Sequence, residues 1–387
     1  MREVVDNLVI GGGIYGTNVA LILNEELPKQ KTLLVESESE LMVRASTNNH
    51  GRLHAGYQYP SSTETALEAK LCKERFLADY ADCVDSEDAL YAIHEDSLIT
   101  GSQYEEFCDE VGLELVEPDS SDTELFGQGI TNVYRILEQT FSSIALRNRI
   151  LGRVADSGLE VVTGCSVGSI EESDRRIGVR LNGGKVITAR RVFNCAYSAI
   201  NGIHSDAGLP NVATVNEKYL LFGISLPVEL IDTSVTVAYG QFSSFVVNRG
   251  VGGHVLADVV ESNLESTLYW PPDRGKTEDA EVRYMRSIAH SIGYLPILAE
   301  AEYTGRNIEE IKSFIGKGSS DNAQGCRSSI IFEDYGGVAG YHIIFGGKVT
   351  GFYKAAEFAL NAARGESTST VLAGGCGTFN ERDASAA

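Results

Sequence analysis

At 387 residues, 43% of them hydrophobic, the chain exceeds the usual size of a single core, so two domains are expected. A formal net charge of −22 argues against a nucleic-acid or anionic-membrane partner, and an anionic substrate would need locally placed arginines. Seven cysteines without metal or dithiol spacing, a start that runs straight into an apolar strand, and no run of roughly 20 apolar residues argue against a metal site, a secretory leader and membrane insertion, and for a reducing, cytoplasmic location.

Residues 4–10 form an apolar run of the length of a buried parallel strand. Gly11-Gly12-Gly13-Ile14-Tyr15-Gly16 follows at once, and Val19, Ala20, Leu23 and Leu27 then recur at helical spacing before Pro28. A second strand over 31–35 ends in Glu36, twenty residues after Gly16. Gly11 permits the tight turn, Gly13 lets the backbone approach a pyrophosphate, and Gly16 lets helix and strand pack closely. Glu36 stands where a carboxylate accepts hydrogen bonds from a ribose diol, so the five parts together read as a dinucleotide-binding unit.

Next comes a loop over 45–60 whose many hydrogen-bonding side chains suggest a ligand contact, then a helix over 63–80. The patterns continue with a strand over 89–99, a helix over 103–111 and a strand over 113–116. Ile136, Leu137, Phe141, Ile144, Ala145, Leu151 and Val154 suggest one long amphipathic helix over 134–157, stopped by Gly158. The strand over 159–163 should rejoin the nucleotide-binding sheet. Strands over 167–172, 177–181 and 185–189 form a small antiparallel meander, and 191–196 is a further buried strand before a flexible 197–208 segment. Strands over 219–226, 234–239, 243–248 and 254–260 predict an antiparallel sheet, followed by a helix over about 277–292. Finally a strand over 341–345, the turn Gly346-Gly347-Lys348-Val349-Thr350-Gly351 and a helix over 352–363 make a second glycine unit whose helix N-terminus can hold partial negative charge. The residues from 364 onward read as a frayed tail.

Over residues 1–362 these pieces resemble the flavoproteins of the D-amino-acid oxidase superfamily. Asn49-His50-Gly51-Arg52-Leu53-His54-Ala55-Gly56-Tyr57, Leu71-Cys72 and Gly325-Cys326-Arg327-Ser328 are similar to segments of L-2-hydroxyglutarate oxidases. Gly346-Gly347-Lys348-Val349-Thr350 is similar to a segment of FAD-dependent glycerol-3-phosphate dehydrogenases, and Phe193-Asn194-Cys195-Ala196 stands where the superfamily ends a strand in Asn-Ala-Ala-Gly. Tyr197 departs from that pattern by replacing the glycine, and His50 replaces a small residue. The resemblance implies an α/β plus α+β architecture: a Rossmann-like FAD-binding domain from 1–80, 131–212 and 325–365, an antiparallel-sheet substrate domain from 81–130 and 213–324, and a flexible tail over 366–387.

On this resemblance Gly11, Gly13, Ile14, Tyr15, Gly16 and Glu36 hold the adenosine half of FAD. Ser46, Thr47, Asn48 and His50 follow the cofactor toward its ring, Val167, Cys195 and Ala196 border it, and Gly346, Gly347, Lys348, Val349 and Thr350 stabilise the reduced flavin. His54 is the candidate general base, or else a hydrogen-bonding partner of the flavin. Either His50 or His54 could instead carry the flavin covalently. Arg327 is the candidate carboxylate clamp, with Arg52, Tyr57 and Tyr219 lining the same pocket. The implied reaction is hydride transfer from a small, carboxylate-bearing 2-hydroxy acid, with oxygen or another redox acceptor taking the electrons. Oxidation of an amine or amino acid to an imine is the alternative, and a noncatalytic flavin-binding protein is the alternative outside enzymes. An NAD-dependent dehydrogenase would leave the C-terminal glycine turn unexplained.

Overall fold

The computed structural model describes residues 2–86, 89–173, 176–315 and 329–366. Strand β1 (Arg2–Ile10) lies in an eight-stranded sheet, between Val186–Asn194 on one side and β2 (Thr32–Val35) on the other, both parallel to it. Glu160–Val162 continues the parallel order beyond β2, and Tyr341–Phe345 beyond Val186–Asn194, with Ile330–Phe332 as an antiparallel edge. Strand order therefore reverses at β1. In such sheets the crevice opens beyond the carboxyl ends of the strands at that point, which here is Gly11.

Alternation along each strand feeds two cores. Val9, Leu34 and Phe193 face one way, where helix α1 (Ile14–Glu26), Ser143–Ser157 and Phe352–Arg364 cover them with Val19, Leu23, Leu146, Ile150, Phe358 and Ala359. Their neighbours Ile10, Leu33, Val35 and Val192 face the other way, against Ile170, Ile177 and Val179 of the hairpin Val167–Ser173/Arg176–Leu181 and against Ile200 and Ile203. Each such buried side chain contributes about 2 kcal/mol, so a slip of one residue in register would invert both cores.

The second sheet has ten strands. Its longest, Thr214–Ser225, pairs with Asn263–Leu268 and Gly253–Asp258 on one edge and with Ile308–Ile315 and Glu302–Tyr303 on the other. Ser243–Asn248 and Ser234–Ala238 follow Gly253–Asp258, then Ala89–His94, Ile130–Ile136 and Leu115–Val116. All pairs are antiparallel except Ser234–Ala238 with Ala89–His94.

Several expectations change. The helix over 134–157 is instead strand Ile130–Ile136, a short strand Thr140–Phe141, and a helix that begins only at Ser143, where Ser142 Oγ accepts from the Ala145 N–H at 3.1 Å. Val133 and Tyr134 pack into different cores, as a strand requires, and this tertiary pairing overrides a helical spacing that was coincidental upstream of the cap. A domain boundary at 131 therefore falls inside a strand of the second sheet. The 197–208 segment is not flexible but a 3₁₀ turn followed by helix Ile200–Ala207, stopped by Gly208 at φ 67°. Its signal was present, since Ile200, Ile203 and His204 are all buried at i, i+3 and i+4. The strands read at 185–189 and 191–196 are one, Val186–Asn194.

His204 ties that helix to the end of the parallel sheet. Its Nδ1–H donates to Pro210 O (2.8 Å), which leaves Nε2 to accept from Tyr341 O–H (3.0 Å), and Tyr341 in turn accepts from Asn194 Nδ2 (2.8 Å). Burial pushes the imidazole down to about 4, outweighing the Pro210 carbonyl, which favours the charged form. A histidine whose folded value lies below the unfolded one stabilises the fold fully above the unfolded value, near 6.5, and loses that contribution as pH falls toward 4. Urea titrations between pH 7 and 4 are expected to show an acid loss of up to about 3 kcal/mol that His204→Gln removes. An unchanged acid loss in that variant would show that other groups cause it.

Candidate active site

The first glycine turn is closed by its neighbours. Gly11 has φ 96°, and a Cβ there would lie 2.8 Å from Cys195 O. A Cβ on Gly16 would collide with Gly11 O, so α1 lies on β1 only because that atom is absent. The Gly12 N–H donates to Glu36 Oε2, while Glu36 Oε1 accepts from the Glu38 N–H (2.7 Å) and Ser37 Oγ (3.0 Å). Ser46 Oγ accepts from the Ile14 N–H at 2.8 Å, which lays the following loop along the helix N-terminus.

Tyr15 joins this turn to the second one. Its hydroxyl donates to Lys348 O (2.7 Å) and lies 3.3 Å from Ser329 Oγ, and a Cβ on Gly346 would collide with the ring. Both glycine turns thus face one cleft of about 360 Å³. Gly11, Gly13, Ile14, Tyr15, Glu36, Ser46 and His50 line it, as do Val167, Cys195, Ala196, Gly346, Gly347, Lys348 and Val349. This cradle, with a carboxylate at the end of β2 and a second helix N-terminus beyond the first, fits a cofactor longer than the 9–36 unit can hold.

Gly16 packs beneath the turn rather than lining the cleft. Thr47, Asn48 and Thr350 also stay out of it. Thr47 Oγ1 donates to Met42 O and Asn48 Nδ2 to Val43 O (3.2 Å), so both shape the loop, and Thr350 is buried in the second turn. Lys348 is buried against Glu68 (3.7 Å) and Thr65 O (3.4 Å), over the Tyr59 ring, rather than solvated. Burial raises the Glu68 carboxyl, but Lys348 and Lys354 (2.9 Å) hold it below its ordinary value, so the ion pair persists.

Tyr197, in the place of the expected glycine, keeps the glycine-like backbone at φ 53°. A left-handed bulky residue costs on the order of 1–2 kcal/mol. Its hydroxyl offsets that cost by accepting from the Ser313 N–H (2.7 Å) and donating to Ser313 O (2.9 Å), which bolts the end of the parallel sheet to Ile308–Ile315.

The candidate base lines the same cleft. His54 Nδ1 lies 3.8 Å from Glu138 Oε2, and Glu138 is 1% exposed. Burial alone would raise the Glu138 carboxyl. The His54 ring, the Arg52 charge at 3.6 Å and the Ala55 N–H at 3.1 Å outweigh it and hold the group below its ordinary value, so a carboxylate is buried here. Glu138 also accepts from Tyr91 O–H at 2.9 Å. Glu138 carried no signal in the sequence, where it fell inside the helix expected over 134–157.

Three expected substrate contacts are redistributed. Arg52 lines the cleft, but its donors go to Tyr91 OH (2.9 Å) and Thr236 Oγ1 (2.8 Å), so it braces Glu138. Tyr57 turns away from the cleft and donates to Glu114 O at 2.7 Å, because its register on the loop places it in the core under helix Gly101–Val111. Tyr219 does line the cleft, stacked on His50 with ring centroids 6.3 Å apart, and its hydroxyl donates to Asn48 O at 2.6 Å. Arg327, with the 325–328 segment, lies outside the described residues. Arg44, Arg274, Glu310 and Lys312 line the cleft without having been anticipated; no local motif marks them, since 271–276 and 308–312 approach it only through the second sheet.

Comparison with known proteins gives this geometry a family. A family model described as FAD dependent oxidoreductase matches residues 6–305. The chain belongs to that family. This oxidoreductase is 45% identical over 69 residues to an L-2-hydroxyglutarate dehydrogenase, mitochondrial, of Caenorhabditis elegans, a match covering 18% of the chain and 15% of that protein. It is 24% identical over 202 residues to an L-2-hydroxyglutarate dehydrogenase of Salmonella houtenae, covering 49% and 47%. The matched regions thus span less than half the length of these curated relatives. Among solved structures, glycine oxidase from Geobacillus kaustophilus superposes with a TM-score of 0.69 at 15% identity, covering 96% of this chain and 97% of that one. NikD, an unusual amino acid oxidase, reaches 0.72 at 13% identity and 95% coverage of both. These structural likenesses establish the fold, a Rossmann-like unit with a second sheet over it, and the family gives FAD as the cofactor.

Proposed function

We propose that this oxidoreductase oxidises a small, carboxylate-bearing 2-hydroxy acid to the 2-oxo acid. The observation that carries the reading is the His54 imidazole at the cleft wall, backed by the buried Glu138 carboxylate. FAD, when bound, supplies a two-electron acceptor for the hydride from the substrate carbon. His54 takes the hydroxyl proton, and Glu138 orients the ring and stabilises the cation so formed, as a buried carboxylate does for a catalytic histidine. Arg52 and Tyr91 keep that carboxylate in place. Gly346 to Thr350 bring the positive end of helix Phe352–Arg364 to the same cleft, which suits a cofactor that gains negative charge on reduction.

The names of the sequence relatives support a hydroxy acid over an amine. Arg327 remains the proposed carboxylate clamp, and oxygen or another redox acceptor the proposed acceptor. Five free cysteines among the described residues support a reducing, cytoplasmic location. Anaerobic mixing of the holoprotein with a panel of 2-hydroxy acids and amino acids, followed at the flavin band, tests the assignment. Bleaching by hydroxy acids is expected; bleaching by amino acids alone would overturn it in favour of imine formation.

A further inference from the structure

A second group of charges in the cleft takes no part in the His54 chemistry. Arg44 stands in the loop that lies along the first glycine turn, between Met42, whose N–H donates to Gly12 O (2.9 Å), and Ser46, which accepts from the Ile14 N–H. Arg274 comes from the other side, out of the segment joining Asn263–Leu268 to helix Ala280–Ser291. Both guanidiniums reach Glu38, at 3.7 and 3.6 Å, and Arg44 also meets Glu310 at 2.9 Å. Other cations of this cleft are paired with carboxylates as well: Arg52 with Glu138, Lys348 with Glu68, and Lys312 with Glu217 at 2.8 Å.

Unlike Arg52 and Lys348, which are buried, Arg44 and Arg274 stay partly open, each side chain 39% exposed. The Arg44 Nε–H is buried and donates to nothing among the described residues. Burial first, and the Arg44 charge next, hold the Arg274 guanidinium below its ordinary value, so the two cations stand together at a cost. Paired guanidinium forks beside a helix N-terminus match the oxygens of a diphosphate, and in a chain of charge −22 such positive charge must be supplied locally.

We propose that Arg44 and Arg274 form a clamp on the pyrophosphate of FAD that closes across the two sheets, with Glu38 holding both side chains until the cofactor arrives. Cofactor binding then fastens the second sheet to the first through Arg274.

Calorimetric titration of the apoprotein with ADP and with adenosine tests this, because only ADP carries the diphosphate. Arg274→Ala and Arg44→Ala are each expected to weaken ADP binding about tenfold and to leave adenosine unchanged. Glu38→Gln is expected to tighten ADP binding, a gain that misfolding cannot produce. Equal weakening of ADP and adenosine would place the guanidiniums on the sugar or base and overturn the clamp, as would unchanged ADP affinity in Arg274→Ala.

Discussion

Replacing His54 with Asn is expected to lower kcat about 10²- to 10⁴-fold while the protein keeps its flavin. The magnitude follows from the loss of the group that takes the hydroxyl proton as the hydride leaves. The asparagine keeps a similar volume at the cleft wall, so packing against Tyr59, whose ring meets His54 edge-on at 5.7 Å, changes little. Glu138→Gln separates orientation from proton transfer. It removes the buried carboxylate that stabilises the imidazolium, so the acidic limb of the kcat/KM profile is expected to move to lower pH, with a smaller fall in kcat. Steady-state rates over pH, with flavin absorbance and thermal midpoints as controls, provide the check. A His54→Asn enzyme that retains more than a third of wild-type kcat would show that this histidine only contacts the cofactor.

Gly16→Val should abolish flavin binding and destabilise the fold by about 3 kcal/mol or more. Any Cβ there meets Gly11 O and lies 3.2 Å from Cys195 Cβ, so α1 must lift away from β1 and carry its N-terminal N–H groups out of the cleft. Gly152→Ala, in the exposed face of Ser143–Ser157 with nothing within 4 Å of the new atom, is the matched control and should stabilise by about 0.5–1 kcal/mol. Flavin-to-protein absorbance ratios and thermal midpoints of the two variants decide the matter. A Gly16→Val protein that purifies fully yellow with a wild-type midpoint would refute the close-packing role of this glycine.

The catalytic side of the cleft shows how far local pattern reaches. His54 was visible because a glycine-bearing polar loop surrounds it. Its partner was not, because Glu138 owes its burial to Ile130–Ile136 pairing with Ala89–His94, a contact between segments about 40 residues apart. Tyr57, three residues from His54, was expected to line the same pocket. The loop's path turns it into the core instead, where burial raises its hydroxyl and Glu114 O takes its proton as a hydrogen bond. Lys348 was expected at the flavin, and nothing adjacent in sequence announces its buried pairing with Glu68.

The chain by itself determined the 9–36 nucleotide unit, the second glycine unit at 341–363, the family and the cofactor. In each of these a turn, a helix start and a strand end are neighbours along the chain, so short-range sterics and hydrogen bonding settle them. Only the tertiary structure decided that Tyr15 bolts the two glycine turns together, that Tyr197 holds a glycine's backbone by bonding Ser313, that Glu138 lies behind His54, and that Arg44 and Arg274 meet in one cleft. Those contacts join segments tens to hundreds of residues apart, and their pairing depends on sheet register, which a one-residue slip would invert and which local preference does not encode.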